Sequence, residues 1–342
     1  MTTSIGTPSS VVTIHDVARV AGVATSTVSR ALSDPGRVRA STRERVIQAA
    51  TELGYVPSSQ AKALRSGRTK NIALVVPDIS NPFLIQIIRG SQHQLKAAGY
   101  LQVLVDTEES TEVEWDTLQK LRHAVDGIVL TASRLSDDQL VEMSQLVPLV
   151  VINRIAPGIA STVIDTQTGF EASVEHLVSL GHSKLLYVSG PVTSWSNGVR
   201  LAAVRAACER LGVELAVTRS FRPTLESGAS AADAALNSGA SACIAYNDLL
   251  AIGMLRRFAE RGVSVPDDMS VVGCDDIFGA DFCTPALTTL GAPIEQAGRS
   301  AVSMLLSQLD DDASPRRETI TIPTHLIVRK SSGPYFGGAN RD

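Results

Sequence analysis

Thr13-Ile-His-Asp-Val-Ala-Arg-Val-Ala-Gly22, followed after Val23 by Ala24-Thr-Ser-Thr-Val-Ser-Arg-Ala-Leu32, decides how this chain begins to fold. Ile14, Val17, Ala18 and Ala21 recur at i, i+3, i+4 and i+7, one face of a helix, and Thr13 with Asp16 has the form of a capping box. Gly22 stops that helix, and a second begins two residues later, with Val28, Ala31 and Leu32 apolar and its other side polar. Two short helices joined by a glycine turn make a helix-turn-helix. A third helix is announced by the capping-box pattern Ser41-x-x-Glu44, carries Val46, Ala50 and Leu53 on one face and ends at Gly54, with Pro57 shortly after. Residues 13–57 are therefore expected to form one small all-α domain, preceded by a disordered tail over residues 1–12. That tail is uncharged and has neither the basic n-region nor the apolar run of a signal peptide.

In a helix-turn-helix the second helix enters the major groove and its N-terminal side chains reach base edges. Thr25, Ser26 and Arg30 are the candidates, Arg30 for a bidentate pair with guanine. Thr27, Ser29, Thr42 and Arg43 suit phosphates, which set register without reading sequence. The competing assignment for each hydroxyl is a local bond to its own helix backbone. Charge agrees with a nucleic-acid role. Residues 1–70 hold ten Lys or Arg against four acids, a balance of +6, while the remainder holds 21 against 31, a balance of −10. A basic module on an acidic body confines nucleic-acid contact to one end, the alternative being a solvated basic helix face.

Residues 58–69 read as a linker whose segment Ser58 to Ser66 is a short helix closed by Gly67. A helix this short is marginal alone and needs a partner to order it. Leu64 has no evident core to enter, so it is either a wedge for the minor groove or a packing residue against its own chain.

From Asn71 onward apolar runs alternate with helical segments: Ile72 to Val76, Leu101 to Val105, Gly127 to Leu130, Leu149 to Ile152, Lys184 to Val188, Ala242 to Ala245 and Ser270 to Gly273. Such alternation implies parallel sheets covered by helices, and this many crossovers in residues 70–329 fit two doubly wound lobes better than one sheet. The lobe boundary is expected near 165, with the chain crossing back near 290 and 320. Ligands of open α/β sheets bind beyond the carboxyl ends of strands. Asn81 with Phe83, Asn153 with Arg154, Asn247 with Asp248, and Asp275 with Asp276 fall at such ends; Asp248 and Asp276 are read as helix N-caps. The Gly- and Ser-containing residues 330–342 read as a flexible tail without heptads, which favours a dimer over a tetramer held by a coiled coil.

The runs Thr13 to Val23, Thr27-Val-Ser-Arg30, Thr42-Arg-Glu-Arg-Val46, Glu52-Leu-Gly-Tyr-Val-Pro57 and Ala61-Lys-Ala-Leu64 together resemble the LacI/GalR family of bacterial transcription regulators. Pro77-Asp78, Asn81-Pro-Phe83, Gly181-His182, Ala245-Tyr-Asn-Asp-Leu-Leu-Ala-Ile-Gly253 and Val271-Val-Gly-Cys-Asp-Asp276 extend that resemblance through the body. It implies a periplasmic-binding-protein-like effector domain, a homodimer on a pseudo-palindromic double-stranded DNA operator, and cytoplasmic location. It places Ala61, Lys62 and Leu64 on DNA, with Leu64 as the wedge. It implies an effector pocket of Asn81, Phe83, Arg200, Asn247 and Asp275, with Trp195 and Phe221 as aromatic walls and Asn153-Arg154 where related sugar binders carry Asp-Arg. The implied effector is a sugar or sugar derivative, then a nucleobase or nucleoside. Two positions depart from the family pattern: Ala24 stands where a capping Ser is usual, and Arg39 where a Ser precedes the third helix.

Other classes fare worse. The sequence has no Gly-x-Gly-x-x-Gly after its first strand, no Gly-x-x-x-x-Gly-Lys-Ser/Thr and no nucleophile elbow, and its six histidines form no ligand pattern. Neither an enzyme nor a metal or other cofactor is expected. A transporter's solute-binding protein shares the body but not the basic reader. Four cysteines without a Cys-x-x-Cys pair read as free, buried thiols, and no segment has the unbroken apolar length of a membrane span.

Overall fold

The computed structural model describes residues 12–33, 35–56, 67–310 and 318–336. Expectations placed on residues 1–11, on the linker helix with Ala61, Lys62 and Leu64, and on residues 337–342 lie outside the described residues. The chain divides into Met1–Thr69 and Lys70–Asp342.

In the first unit α1 spans Ile14–Ala21, α2 Thr25–Ser33 and α3 Ala40–Glu52. The α1 capping box forms: the Thr13 amide and hydroxyl both donate to Asp16 Oδ2, at 3.0 and 2.8 Å. These bonds, with a further one from Arg19, hold the Asp16 carboxyl down at about 2. Gly22 takes the left-handed conformation that ends α1, at φ +63°. Val17, Val28 and Val46, one from each helix, are fully buried and form the centre of the shared core with small alanines around them. At about 1.5–3 kcal/mol for each buried side chain of this size, these three carry much of what a domain so small can gather. The third helix starts differently from the expectation. Its N-cap is Arg39, whose carbonyl accepts from the Thr42 and Arg43 amides at 3.0 Å, so Ser41 sits inside the first turn and caps nothing.

The second unit has two lobes. Lobe one holds β1 (Asn71–Val76), α4 (Pro82–Ala97), β2 (Leu101–Asp106), α5 (Thr111–Leu121), β3 (Gly127–Thr131), α6 (Asp137–Leu146), β4 (Leu149–Ile152) and β5 (Ala160–Ile164). Lobe two holds α7 (Thr166–Ser179), β6 (Lys184–Val188), α8 (Trp195–Leu211), β7 (Glu214–Val217), α9 (Ser227–Leu236), β8 (Ala242–Ala245), α10 (Asp248–Glu260), β9 (Ser270–Val272) and β10 (Thr289–Gly291). The chain then returns to lobe one as α11 (Ile294–Gln308) and β11 (Thr319–Ile322), and crosses once more so that β12 (His325–Ile327) pairs antiparallel with β10. Sheet order is β11-β5-β4-β3-β1-β2 in lobe one and β7-β6-β8-β9 in lobe two, parallel throughout. All seven expected strands are present within one residue at each end; β5, β7, β10, β11 and β12 were not foreseen.

Successive residues of β1 serve opposite faces. Ile72, Leu74 and Val76 pack in the core with α4 and α11, while Ala73 and Val75 join the core on the other side. A strand buried on both faces must be apolar almost throughout, which is why these segments are continuous runs rather than alternations. Helices α4 and α11 approach so closely that a Cβ at Gly90 would stand 2.0 Å from the Glu295 carbonyl oxygen.

Residues 330–336 are not a flexible tail. Ser331 is fully buried: its amide-side partner Val271 N donates to its carbonyl at 2.7 Å, and its hydroxyl donates to Val271 O at 2.6 Å. Gly333 N donates to Ser270 Oγ at 3.1 Å, and the Tyr335 ring stacks on His182 with centroids 5.4 Å apart. This strap satisfies backbone groups beside β9 that would otherwise be left unpaired. The cysteines are free, with Cys208, Cys243 and Cys274 buried and Cys283 half-buried.

Candidate functional site

The reader comes first. Ser26, Arg30 and Arg43 are exposed, and Thr25, Thr27, Ser29 and Thr42 are half-exposed. The local-bond alternative is realised elsewhere in this unit, where Ser33 Oγ donates to Ser29 O at 2.7 Å and Thr51 Oγ1 to Ile47 O at 2.9 Å. Among the described residues, the hydroxyls of Thr25, Ser26, Thr27, Ser29 and Thr42 make no such bond. They stand on the start of α2 and of α3, beside exposed Arg30, Arg39, Arg43 and Arg45, an arrangement suited to an anionic backbone. At Ala24 the backbone alone opens α2, its carbonyl accepting from Thr27 N at 2.8 Å and Val28 N at 3.1 Å.

In the second unit, both lobes place the carboxyl ends of their strands at one cleft. In each sheet the strand order reverses direction of winding beside its first strand, β1 in lobe one and β6 in lobe two, the point where doubly wound sheets open a crevice. A cavity of about 40 Å³ lies there, lined from lobe one by Asn81, Phe83, Glu109, Arg134 and Asn153 and from lobe two by Ser196, Arg200, Tyr246, Asn247 and Asp275. Glu109 also lines an adjoining chamber of about 550 Å³.

Three amides are presented alike. Asn81 caps α4 by accepting from Phe83 N at 3.1 Å, Asn247 caps α10 by accepting from Leu250 N at 3.1 Å, and Asn153 accepts from Ile164 N at 3.0 Å. Each oxygen is committed to backbone, which leaves each NH2 group as the donor for a ligand. Arg200, 4% exposed, donates from Nη1 to Tyr246 O at 2.6 Å and from Nη2 to Asp275 Oδ1 at 3.4 Å, over the Tyr246 ring. Its Nε is buried with no partner. Burial lifts the Asp275 carboxyl to about 6 against the opposing pull of Arg200, and lifts Asp248 to about 7, where the nearby Asp275 and Asp276 charges add to the same effect.

Several lining residues carry backbone strain. Glu109, Ala132, Asn153 and Asp275 have φ of +59°, +48°, +54° and +117°, a region that costs side-chain-bearing residues on the order of 1–3 kcal/mol each. Strain gathered on one cavity is the mark of a wall whose shape matters. Asp276, also left-handed at +47°, is held by Arg329 at 2.7 Å.

Six of the nine expected pocket residues meet here: Asn81, Phe83, Asn153, Arg200, Asn247 and Asp275. Three do not. Arg154 pairs with Asp137 at 2.6 Å and turns from the cavity, because Asn153 occupies the cavity-facing position of that turn. Phe221 is buried in the core of lobe two under Arg219, and Trp195, half-buried at the start of α8, lies off the lining. The N-cap readings of Asp248 and Asp276 also fall. Asn247 is the cap of α10, whereas Asp248, fully buried, accepts from Thr289 Oγ1 at 2.5 Å and Ile277 N at 3.0 Å, and no helix follows Asp276. Glu109, Arg134, Ser196 and Tyr246 were missed. The strand-end rule that found Asn81 reaches Glu109 and Arg134 equally, since they follow β2 and β3. Among the described residues no cluster suits a metal ion, and no helix is long and apolar enough to cross a membrane.

A three-helix reader joined to a two-lobed α/β body with a polar cleft defines a DNA-binding transcription regulator with a periplasmic-binding-protein-like domain. Residues 13–58 match the lacI family of bacterial regulatory proteins, and residues 174–332 match a periplasmic binding protein-like domain. The chain is 31% identical over 333 residues to the HTH-type transcriptional regulator DegA of Bacillus subtilis (strain 168), covering 94% of this chain and 98% of the relative. The fold is similar to the lac repressor dimer bound to operator and the anti-inducer ONPF, with TM-score 0.84 and 28% identity over 94% of this chain and 99% of that one. It is also similar to the transcriptional regulator CelR in complex with cellobiose, with TM-score 0.69 and 29% identity over 93% and 99%. This chain belongs to the LacI family of transcription regulators. Its members are regulators, not enzymes.

Proposed function

We propose that the protein is a cytoplasmic repressor that binds a pseudo-palindromic operator as a homodimer and is controlled by a small polar effector, a sugar or sugar derivative, held between the lobes. In this reading Thr25, Ser26 and Arg30 read base edges, Thr27, Ser29, Thr42 and Arg43 hold phosphates, and the linker residues Ala61, Lys62 and Leu64 contact DNA, with Leu64 as the minor-groove wedge. The observation that carries the effector half is the convergence of Asn81, Asn153, Asn247, Arg200 and Asp275 on one cavity. Directed donors and an acceptor beside the rings of Phe83 and Tyr246 suit a hydroxylated ring, polar at its edge and apolar on its face. The similarity to a regulator in complex with cellobiose supports the same class. A nucleoside is the second reading, favoured by those same two aromatic rings.

Effector and operator are then linked. Whatever factor the effector imposes on operator affinity, the operator imposes on effector affinity, typically about 5–150-fold. The test is operator selection from genomic fragments at moderate salt, followed by anisotropy titrations with sugars and nucleosides. A protein that never prefers one sequence over bulk competitor overturns the regulator reading; a protein that selects an operator but responds to no small molecule overturns the effector half.

A further inference from the structure

We propose that the Glu109–Arg134 pair selects the effector, favouring an uncharged, hydroxyl-rich molecule that reaches from the inner cavity into the outer chamber and rejecting its phosphorylated counterparts. The inference rests on the cleft being the effector site. Arg134 donates from Nε and Nη2 to one oxygen, Glu109 Oε2, at 2.8 and 2.6 Å, and from Nη1 to Ala132 O at 3.1 Å. Its turn is pinned from behind by Glu114, a buried carboxylate that accepts from Ser133 Oγ and, at 2.9 Å, from Arg134 N. The two side chains are only 4% and 17% exposed. A buried ion pair is a poor stabilising device, because desolvation consumes most of its Coulombic gain. One held on a cavity wall, with Glu109 itself at a left-handed φ of +59°, is better explained by what it presents: a fixed donor set from Arg134 and, at Glu109 Oε1, an acceptor that the pair leaves uncommitted.

Charge decides between ligand classes. In the inner cavity two guanidinium groups, Arg134 and Arg200, face two carboxylates, Glu109 and Asp275, so no net positive charge remains for a phosphate. In the outer chamber Asp78, Asp106, Glu108 and Glu226, in addition to the paired Glu109, stand with Arg222 as the one lining cation. These four further acids repel an entering dianion while leaving hydroxyls unaffected. Size points the same way. The inner cavity is about 40 Å³, far below the roughly 300–1,000 Å³ of usual ligand sites, and the adjoining 550 Å³ lies past Glu109, which borders both. A ligand filling both spaces passes along this pair. The unpartnered, buried Arg200 Nε marks the inner end as an anchoring point for an acceptor.

The test uses the full-length protein and paired probes: glucose with glucose 6-phosphate, trehalose with trehalose 6-phosphate, cytidine with cytidine 5′-monophosphate, and cellobiose. Thermal shift identifies binders and calorimetry measures their Kd. The expected binder is a neutral probe of more than one ring, and its Kd weakens at least tenfold in Glu109→Gln and again in Arg134→Lys. A phosphorylated probe that binds more tightly than its parent overturns the proposal, as does an unchanged Kd in Glu109→Gln for a ligand whose binding Asp275→Asn weakens; both leave the effector cleft standing. A ligand indifferent to Asp275→Asn, or a panel in which nothing binds, overturns the cleft itself and this inference with it.

Discussion

Arg200 Nη2 and Asp275 Oδ1 lie 3.4 Å apart inside lobe two, both side chains nearly inaccessible, while Nη1 of the same guanidinium donates to Tyr246 O at 2.6 Å. The pair is long for a charge-assisted bond, and Arg200 Nε is unpartnered. Arg200 is thus anchored at one nitrogen and underused at two, which is the state of a group that completes its bonds with a ligand. Truncating Asp275 to Ala would leave the buried guanidinium without its counter-charge and destabilise the body by about 3–5 kcal/mol. Asp275→Asn keeps the shape and is the better probe. It is expected to weaken effector binding by about 1.5–3 kcal/mol, the worth of a hydrogen bond to a charged group, which is on the order of 10–150-fold. Operator anisotropy read with and without effector should show the response shifted to correspondingly higher effector concentration; an unshifted titration removes Asp275 from the site.

The neighbouring Asp248 makes stability depend on pH. Its carboxyl is raised to about 7 and that of Asp275 to about 6, first by burial, so the folded body holds protons that the unfolded chain releases near 3.8. The stability these groups contribute is full below about 4 and is lost as pH rises through 6 and 7. Asp248→Asn abolishes its own share of that slope. Thermal unfolding of wild type and variant across pH 4–8 should show the wild type losing ground to Asp248→Asn as pH rises. Curves that stay parallel contradict the assignment.

Much of this site was legible in the sequence because strand ends are legible. Apolar runs located β1, β8 and β9, and the polar residues just beyond them, Asn81, Asn247 and Asp275, line the cavity. What the sequence could not show is which of two adjacent polar residues faces inward. Asn153 faces the cavity and Arg154 faces Asp137 because Asn153 adopts a left-handed φ of +54°. Glu109 and Arg134 are separated by 25 positions, and their pairing exists only once β2 and β3 are placed on either side of β1. Ser331 and Gly333 look like tail residues by composition, yet Ser331 bonds Val271 through both its carbonyl and its hydroxyl, Gly333 N bonds Ser270 Oγ, and a Cβ at Gly333 would stand 2.8 Å from the Pro266 ring.

In the reader, Arg30 and Arg43 should separate specificity from affinity. Both are exposed, but Arg30 lies on α2 and Arg43 in the first turn of α3. Arg30→Ala should cost about 1–3 kcal/mol on the preferred operator and relax the base choice at one position. Arg43→Ala should weaken all sequences alike and reduce the slope of log K against log salt by about 1. Competition titrations with operator and scrambled duplexes at several salt concentrations distinguish them. Identical effects of the two variants would place both on phosphates.

The contact between α4 and α11 matters because α4 carries Asn81 and Phe83 at its start, so the spacing of these helices sets where two cavity residues stand. At Gly90 a Cβ would lie 2.0 Å from Glu295 O, and that atom is backbone, which has no rotamer to yield. Gly90→Ala must push the helices apart, at a cost of about 1–3 kcal/mol and roughly 2–4 °C of Tm for each kcal/mol. Gly198, in α8, is the matched control: it is exposed, and a Cβ there meets nothing within 4 Å. Gly198→Ala should leave Tm unchanged or raise it slightly, since alanine is the better helix former by about 1 kcal/mol. Calorimetric unfolding of the two variants is expected to move Tm in these different directions, with effector affinity falling in Gly90→Ala as α4 is displaced. A Gly90→Ala protein as stable as wild type would mean that α4 and α11 are not packed backbone to backbone.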